Sequence, residues 1–226
     1  MIKTVLIDID NTILDFDRCA AASIRQGLQE LGIPWREEIF PVFREVNDIL
    51  WREIEQGNLK RAGLRAIRWR WIFDRLGIRA DGPRFEDRFV ELLWNSHESV
   101  DGAEELLRGL SGRYAVYAAS NAPAGEQQNR LRLAGFDRYF RGLFISQEMG
   151  GMPKPSREFF DACFARLGNP PKEEVLLIGD SLTADIRGAL DYGLPCCWFD
   201  HDGTGAPAPA GAAHTARRLT DILQWY

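Results

Sequence analysis

Thr4-Val5-Leu6-Ile7-Asp8-Ile9-Asp10-Asn11-Thr12 decides the fold of this 226-residue chain. Val5-Leu6-Ile7 is continuously apolar, which suits a strand buried on both faces, as in a parallel sheet, and the run ends in acids. Three later runs repeat the pattern. Tyr114 to Ala119 ends at Ser120-Asn121, Val175 to Ile178 at Gly179-Asp180, and Cys196 to Phe199 at Asp200. A shorter run, Leu143-Phe144-Ile145, ends at Ser146. Helical stretches over about 103–110, 125–134, 156–167 and 183–192 separate these strands, and Gly193 is placed to stop the last of them. Strands alternating with helices, with polar residues at the strand ends, predict an α/β fold with a doubly wound parallel sheet.

Residues 16–96 break this rhythm. They read as four amphipathic helices, over about 16–31, 36–56, 59–76 and 84–96, punctuated by Gly32, Gly57-Asn58 and Gly77. Five of the seven tryptophans fall here: Trp35, Trp51, Trp69, Trp71 and Trp94. The expected organisation is an α/β core of residues 1–15 and 97–226, interrupted by a helical cap of residues 16–96. Gly203 to Ala213, rich in Gly, Ala and Pro, is expected to be a surface loop before a short closing strand and helix, His214 to Tyr226.

Composition narrows the options. With 45% hydrophobic and 27% charged residues, the chain can bury a sizeable core, so disorder is excluded as its main state. A net charge of −5 gives no general pull toward nucleic acid or an anionic membrane. No apolar run reaches the ~20 residues of a membrane span, and the first residues lack a signal-peptide layout. Cys19, Cys163, Cys196 and Cys197 form no CxxC pair, and His97, His201 and His214 are scattered, which argues against a zinc site or a disulfide framework. Reduced thiols suit a cytoplasmic setting.

In an open parallel sheet, ligands bind beyond the carboxyl ends of the strands. Those ends here carry Asp8, Asp10 and Thr12, then Ser120 and Asn121, then Asp180 and Ser181, with Asp185 further on and Lys154 in the loop Met152-Pro153-Lys154-Pro155. Asp8 and Asp180 held close together would repel and raise each other's pKa, and a divalent cation removes that difficulty. An all-oxygen donor set favours Mg²⁺ over zinc. The cation and Lys154 together make a place for a dianionic group, most simply a phosphate. Asp8, rigid at its strand end, suits a covalent nucleophile toward phosphorus. Asp10, two residues on and on the same side, can protonate the leaving group and later activate water. Thr12, Ser120 and Asn121 supply phosphate-binding groups, Lys154 offsets charge on the transferring oxygens, and Asp180 holds the metal. Asp185 and Ser181 support them from behind.

Asp8-x-Asp10-x-Thr12, Ser120-Asn121, Lys154-Pro155 and Gly179-Asp180-Ser181-x-x-x-Asp185 together resemble the four ordered motifs of the haloacid dehalogenase-like (HAD) hydrolase superfamily, and the insertion after the first motif resembles its helical C1 cap. The resemblance covers the whole chain. It implies phosphoaspartyl transfer with Mg²⁺, with Asp8 as nucleophile, Asp10 as acid/base, and the metal bound by Asp8, Asp180 and the backbone carbonyl of Asp10. Haloacid dehalogenases proper lack an acid two residues after the nucleophile, so Asp10 points to phosphatase chemistry. The stretches Asp8 to Phe16 and Gly193 to Trp198 are similar to the YjjG/YfnB-type subgroup, which implies action on nucleoside 5′-monophosphates. Many HAD phosphatases have Gly where this chain has Asn11, a departure shared by nucleotidase-like relatives. The cap is expected to choose the leaving group, with Phe16 at the pocket mouth. The expected partner is a small phosphorylated metabolite, with neither nucleic acid nor membrane, and the chain a monomer or homodimer.

Each motif also has a plainer reading. Asp8 and Asp10 are ordinary strand-end turn formers, Ser120-Asn121 a helix cap, Lys154 an exposed loop residue, and Asp185 a first-turn helix acid. Lys60, Arg61, Arg65, Arg68 and Arg70 read as a solvated basic face, and the cap tryptophans as core. Rival functions are a phosphatase for sugar or other small-metabolite phosphates, a phosphomutase, and a non-catalytic ligand-binding module.

Overall fold

The computed structural model describes residues 1–207 and 209–226. Of the expected loop from Gly203 to Ala213, Ala208 lies outside the described residues. The chain divides into two compact units, Met1–Phe16 with His97–Tyr226, and Asp17–Ser96.

The first unit is built on six parallel strands: β1 (Thr4–Ile7), β2 (Ala115–Ser120), β3 (Gly142–Ile145), β4 (Val175–Gly179), β5 (Cys196–Phe199) and β6 (His214–Ala216). Their order is β3-β2-β1-β4-β5-β6, the doubly wound arrangement expected from the sequence. The chain winds outward from β1 in one direction and then from β4 in the other, so the switch point lies between these two strands. Register explains what meets there. Ile7 pairs with Ala118 on one side and Ile178 on the other, so the residues just beyond all three strands emerge at one edge of the sheet.

The apolar strand runs face helices on both sides. Val5 and Ile7 belong to a core with Leu106, Leu107 and Leu110 of α5 (Ala103–Ser111) and Leu131 of α6 (Ala124–Ala134). Leu6 turns to the opposite core, with Phe159, Phe160 and Cys163 of α7 (Arg157–Leu167) and Ala189 of α8 (Gly188–Tyr192). Val5, Leu6 and Ile7 are wholly buried, and each such side chain is worth about 1.5–3 kcal/mol of transfer free energy. The expected closing segment comprises β6 and a 3₁₀ turn, Leu219–Gln224. One element differs from its expected form. The helix expected over 183–192 begins as a π-wound segment, Leu182–Arg187, before continuing as α8. Single-sequence periodicity does not distinguish the wider winding, which recurs at functional sites.

The second unit takes in α1 (Phe16–Glu30) from Asp17 onward, α2 (Ile39–Glu55), α3 (Leu64–Leu76) and α4 (Gly82–Trp94), with a 3₁₀ turn, Arg61–Gly63, leading into α3. Trp69 is its centre, wholly buried and ringed by Phe43, Phe73, Phe85 and Phe89 at centroid distances of 4.4–5.7 Å. Trp71 and Trp94 are exposed, which limits the reading of the tryptophans as core. Arg68 corrects the reading of the basic run as a solvated face. It is buried, bidentate to Glu86 at 2.6 and 3.0 Å, bonded to Asn47 at 3.0 Å, and lies over the Phe89 ring. A desolvated guanidinium needs this full set of partners. No helix among the described residues is long and apolar enough to cross a membrane.

Candidate active site

The first motif is a tight loop folded back on β1. The N–H groups of Thr12, Ile13 and Leu14 all reach the Ile9 carbonyl, at 3.3, 2.9 and 2.9 Å, and Asn11 N–H returns to Leu14 O at 2.7 Å. Closing the loop places Asn11 in the left-handed region, at φ 57°. Asn tolerates that region better than most residues other than Gly, so the loop closes here without a glycine.

Lys154 is the hub of the site. Its ammonium, 2% exposed, donates to Asp8 Oδ1, Asp185 Oδ1 and Ala119 O, each at 2.6 Å. All three of its protons are therefore placed. Asn121 fixes the loop that carries it, with its amide bonded at both ends to the Lys154 backbone (Nδ2 to O at 2.9 Å, N to Oδ1 at 2.8 Å). Upstream, Gly150 and Gly151 at φ 85° and 80° turn the chain through conformations that side chains resist. Asp185 is held from behind by Ser181 N–H at 3.1 Å, and the Ser181 hydroxyl caps the π-wound segment through Ala184 N–H at 3.0 Å. Gly179 makes room for this arrangement, since a Cβ there would run into the Asp185 carboxylate.

Asp180 accepts the Thr12 hydroxyl at 3.0 Å, and its carbonyl accepts Trp198 Nε1–H at 2.9 Å. The Ser120 hydroxyl oxygen accepts Ala122 N–H at 3.1 Å and Gln127 Nε2–H at 3.2 Å. Phe16, half-buried, opens α1. The structure thus gathers Asp8, Thr12, Ser120, Asn121, Lys154, Asp180, Ser181 and Asp185 around one edge of the sheet, with the Thr12 hydroxyl and the Asn121 amide already engaged by neighbours within the site.

Asp10 brings in residues that the sequence reading missed. Arg130 NH1 donates to its Oδ1 at 2.6 Å, and Gln127 Nε2 donates to its Oδ2. The available signal was helical spacing. Gln127 and Arg130 are three apart on the helix that follows Ser120-Asn121, hence on one face of it. Trp198 stood out only as part of an apolar run and of the stretch Gly193 to Trp198, neither of which pointed to its bond with the Asp180 carbonyl.

The electrostatics follow from crowding. Burial pushes the Asp8 carboxyl up, the Lys154 charge pulls it back, and Asp185 and Asp10 push it up again, leaving it at about 7. Burial, then Asp8 and Asp185, hold Asp180 well above the ordinary carboxylate range. Burial alone would lower the Lys154 pKa, but Asp185 and Asp8 outweigh it and keep the ammonium charged. Carboxylate oxygens of Asp8, Asp180 and Asp185 lie within 4.8 Å of one another, with one lysine to offset three acids. A partly buried, all-oxygen cluster with excess negative charge fits a hard divalent cation.

A doubly wound sheet bearing an acid pair after β1, a buried lysine and an acid cluster at the switch point suits an α/β protein that handles an anionic group with a divalent cation. The haloacid dehalogenase-like hydrolase profile matches residues 2–193. The chain belongs to that family, and it is a hydrolase. It is 34% identical to the HAD-hydrolase YfnB of Bacillus subtilis over 200 residues, 88% of this chain and 85% of that one. It is 32% identical to the pyrimidine 5′-nucleotidase PynA of Streptococcus pneumoniae (88% and 84% covered) and 26% to the pyrimidine 5′-nucleotidase YjjG of Escherichia coli (97% and 96%). A crystal structure of B. subtilis YfnB bound to magnesium superposes with a TM-score of 0.91 at 31% identity, covering 99% of this chain and 98% of that one.

Proposed function

We propose that this chain is a Mg²⁺-dependent phosphomonoester hydrolase that works through an aspartyl-phosphate on Asp8 and acts on nucleoside 5′-monophosphates. The observation that carries the reading is the convergence of Asp8, Lys154, Asp180 and Asp185 in one partly buried cluster with Asp10 beside it. A binding module has no need of an acid/base residue next to a nucleophile. The substrate class rests on the relatives PynA and YjjG, both named pyrimidine 5′-nucleotidases.

In the first half-reaction an Asp8 carboxylate oxygen attacks phosphorus, the bond from phosphorus to the ester oxygen breaks, and Asp10 gives that oxygen a proton. In the second, water attacks the phosphoryl group and passes a proton to Asp10, the phosphorus–Asp8 bond breaks, and inorganic phosphate leaves. Lys154 keeps a positive charge against the nucleophile and the transferring group throughout. Asp8, Asp180 and the Asp10 carbonyl would hold Mg²⁺, which when bound neutralises the crowded acids and the phosphate oxygens. Thr12 keeps Asp180 in place for that role, and Ser120 with its neighbouring N–H groups faces the phosphate.

A steady-state panel of nucleoside 5′-monophosphates and sugar phosphates with Mg²⁺ tests this. Release of phosphate fastest from pyrimidine nucleotides is expected. Rapid turnover of a sugar phosphate with indifference to nucleotides overturns the substrate class, and accumulation of an isomer without phosphate release overturns hydrolysis.

A further inference from the structure

We propose that Arg130 and Gln127 are positioning residues for the acid/base, fixing from α6 the direction in which the Asp10 carboxylate presents its oxygens. The inference rests on the phosphatase reading above and goes further by assigning two residues to the proton-transfer step.

Three observations support it. First, Asp10 projects from a short loop, so its backbone is fixed while its side-chain torsions are not. A group that must meet first a leaving oxygen and then a water needs its orientation set by neighbours. Second, both its oxygens are held, Oδ1 by Arg130 NH1 at 2.6 Å and Oδ2 by Gln127 Nε2, while the side chain stays 25% exposed. The carboxylate is thus gripped from the protein side and still reaches solvent. Third, both holders are wholly buried. Burying a guanidinium is costly unless it is paired, and an apolar residue would anchor α6 to the sheet without that cost. Arg130 stands beside Leu131, which packs in the core, and NH1 also lies 3.8 Å from the buried Glu126 Oε1. Gln127 Nε2 additionally reaches the Ser120 hydroxyl oxygen at 3.2 Å. One helix therefore links the acid/base to the hydroxyl expected to face the phosphate.

The test compares two esters in wild type, Arg130→Met, Arg130→Lys and Gln127→Leu. A nucleoside 5′-monophosphate expels an alkoxide and needs the proton from Asp10. 4-Nitrophenyl phosphate expels a stable anion and does not need it in the first step. In Arg130→Met, kcat on the nucleotide should fall about 100-fold with KM within about threefold. The first-turnover burst of nitrophenolate should stay within about threefold of wild type. Arg130→Lys should recover part of the loss. Gln127→Leu, which removes no charge, should show the same split at about tenfold, and with Arg130→Lys it carries the test if Arg130→Met does not fold. Folded variants that lose both esters equally, or neither, overturn the proposal, because a merely structural anchor has no preference for leaving group. A wild type that hydrolyses neither ester overturns the phosphatase reading instead, and is recognised before any variant is made.

Discussion

Lys154 Nζ stands 2.6 Å from Asp8 Oδ1 and 2.6 Å from Asp185 Oδ1, so one buried ammonium joins the residue after β1 to the helical segment after β4. These carboxylates are 177 positions apart in sequence and meet because β1 and β4 pair as neighbours where the winding of the sheet reverses. The lysine holds Asp8, the proposed nucleophile, and ties it to Asp185 and Ala119.

Removing that ammonium leaves Asp8 and Asp185 without their ion-pair partner. Lys154→Met should lower the stability of the metal-free protein by about 3–5 kcal/mol, the cost of breaking a buried pair from one side. Turnover should fall by about 100-fold or more. Urea denaturation and steady-state kinetics check the two effects separately. An unchanged denaturation midpoint would mean that the ammonium does not hold the acids in place.

The opposite substitution relieves crowding. In Asp180→Asn one of the mutually repelling carboxylates becomes neutral, and the metal-free protein should gain about 0.5–2 kcal/mol while losing activity. Mg²⁺ should raise the melting temperature of wild type by mass action and have little effect on this variant. Chelation should return wild type to its metal-free melting temperature and abolish turnover. Thermal melts with and without Mg²⁺ are the check, and equal responses in the two proteins would remove Asp180 from the metal site.

Asp200 supplies a pH-dependent element away from the acid cluster. Burial pushes its carboxyl up, but Gly205 N–H and the hydroxyl and N–H of Thr204, at 2.9–3.0 Å, outweigh burial and hold it below the ordinary value. A carboxylate lowered by folding stabilises the fold above its unfolded pKa of about 4, and that contribution is lost as pH falls through the folded value. Amide exchange protection at Thr204 and Gly205 should therefore be present at neutral pH and fade in that acid window. In Asp200→Asn it should be weak throughout. Equal protection in the variant would contradict the assignment.

The sequence made the sheet legible because its strands are buried on both faces, so Val5-Leu6-Ile7 and Val175 to Ile178 stand out as continuous apolar runs. Motif residues at the strand tips were legible for the same reason, since their positions follow from where those runs end. Side-chain direction was not legible. Nothing in the order of residues says that the Thr12 hydroxyl turns to Asp180, or that Asn121 spends its amide on the Lys154 backbone. Arg130 and Gln127 were hidden because a polar pair on a helix ordinarily faces water, and only the packing of α6 against the first loop turns this pair inward. Arg68 misled for the mirror-image reason, since its neighbours in sequence are exposed cations while its own partners, Glu86 and Asn47, lie on other helices.

The central claim is that Asp8 carries the phosphoryl group, and acid-quenched single turnover with ³²P-labelled nucleotide tests it most directly. The account predicts label bound to the wild-type protein, mapped by peptide sequencing to Asp8, and absent from a folded Asp8→Asn variant that no longer releases phosphate. Full turnover by Asp8→Asn, or label on another residue, would contradict it.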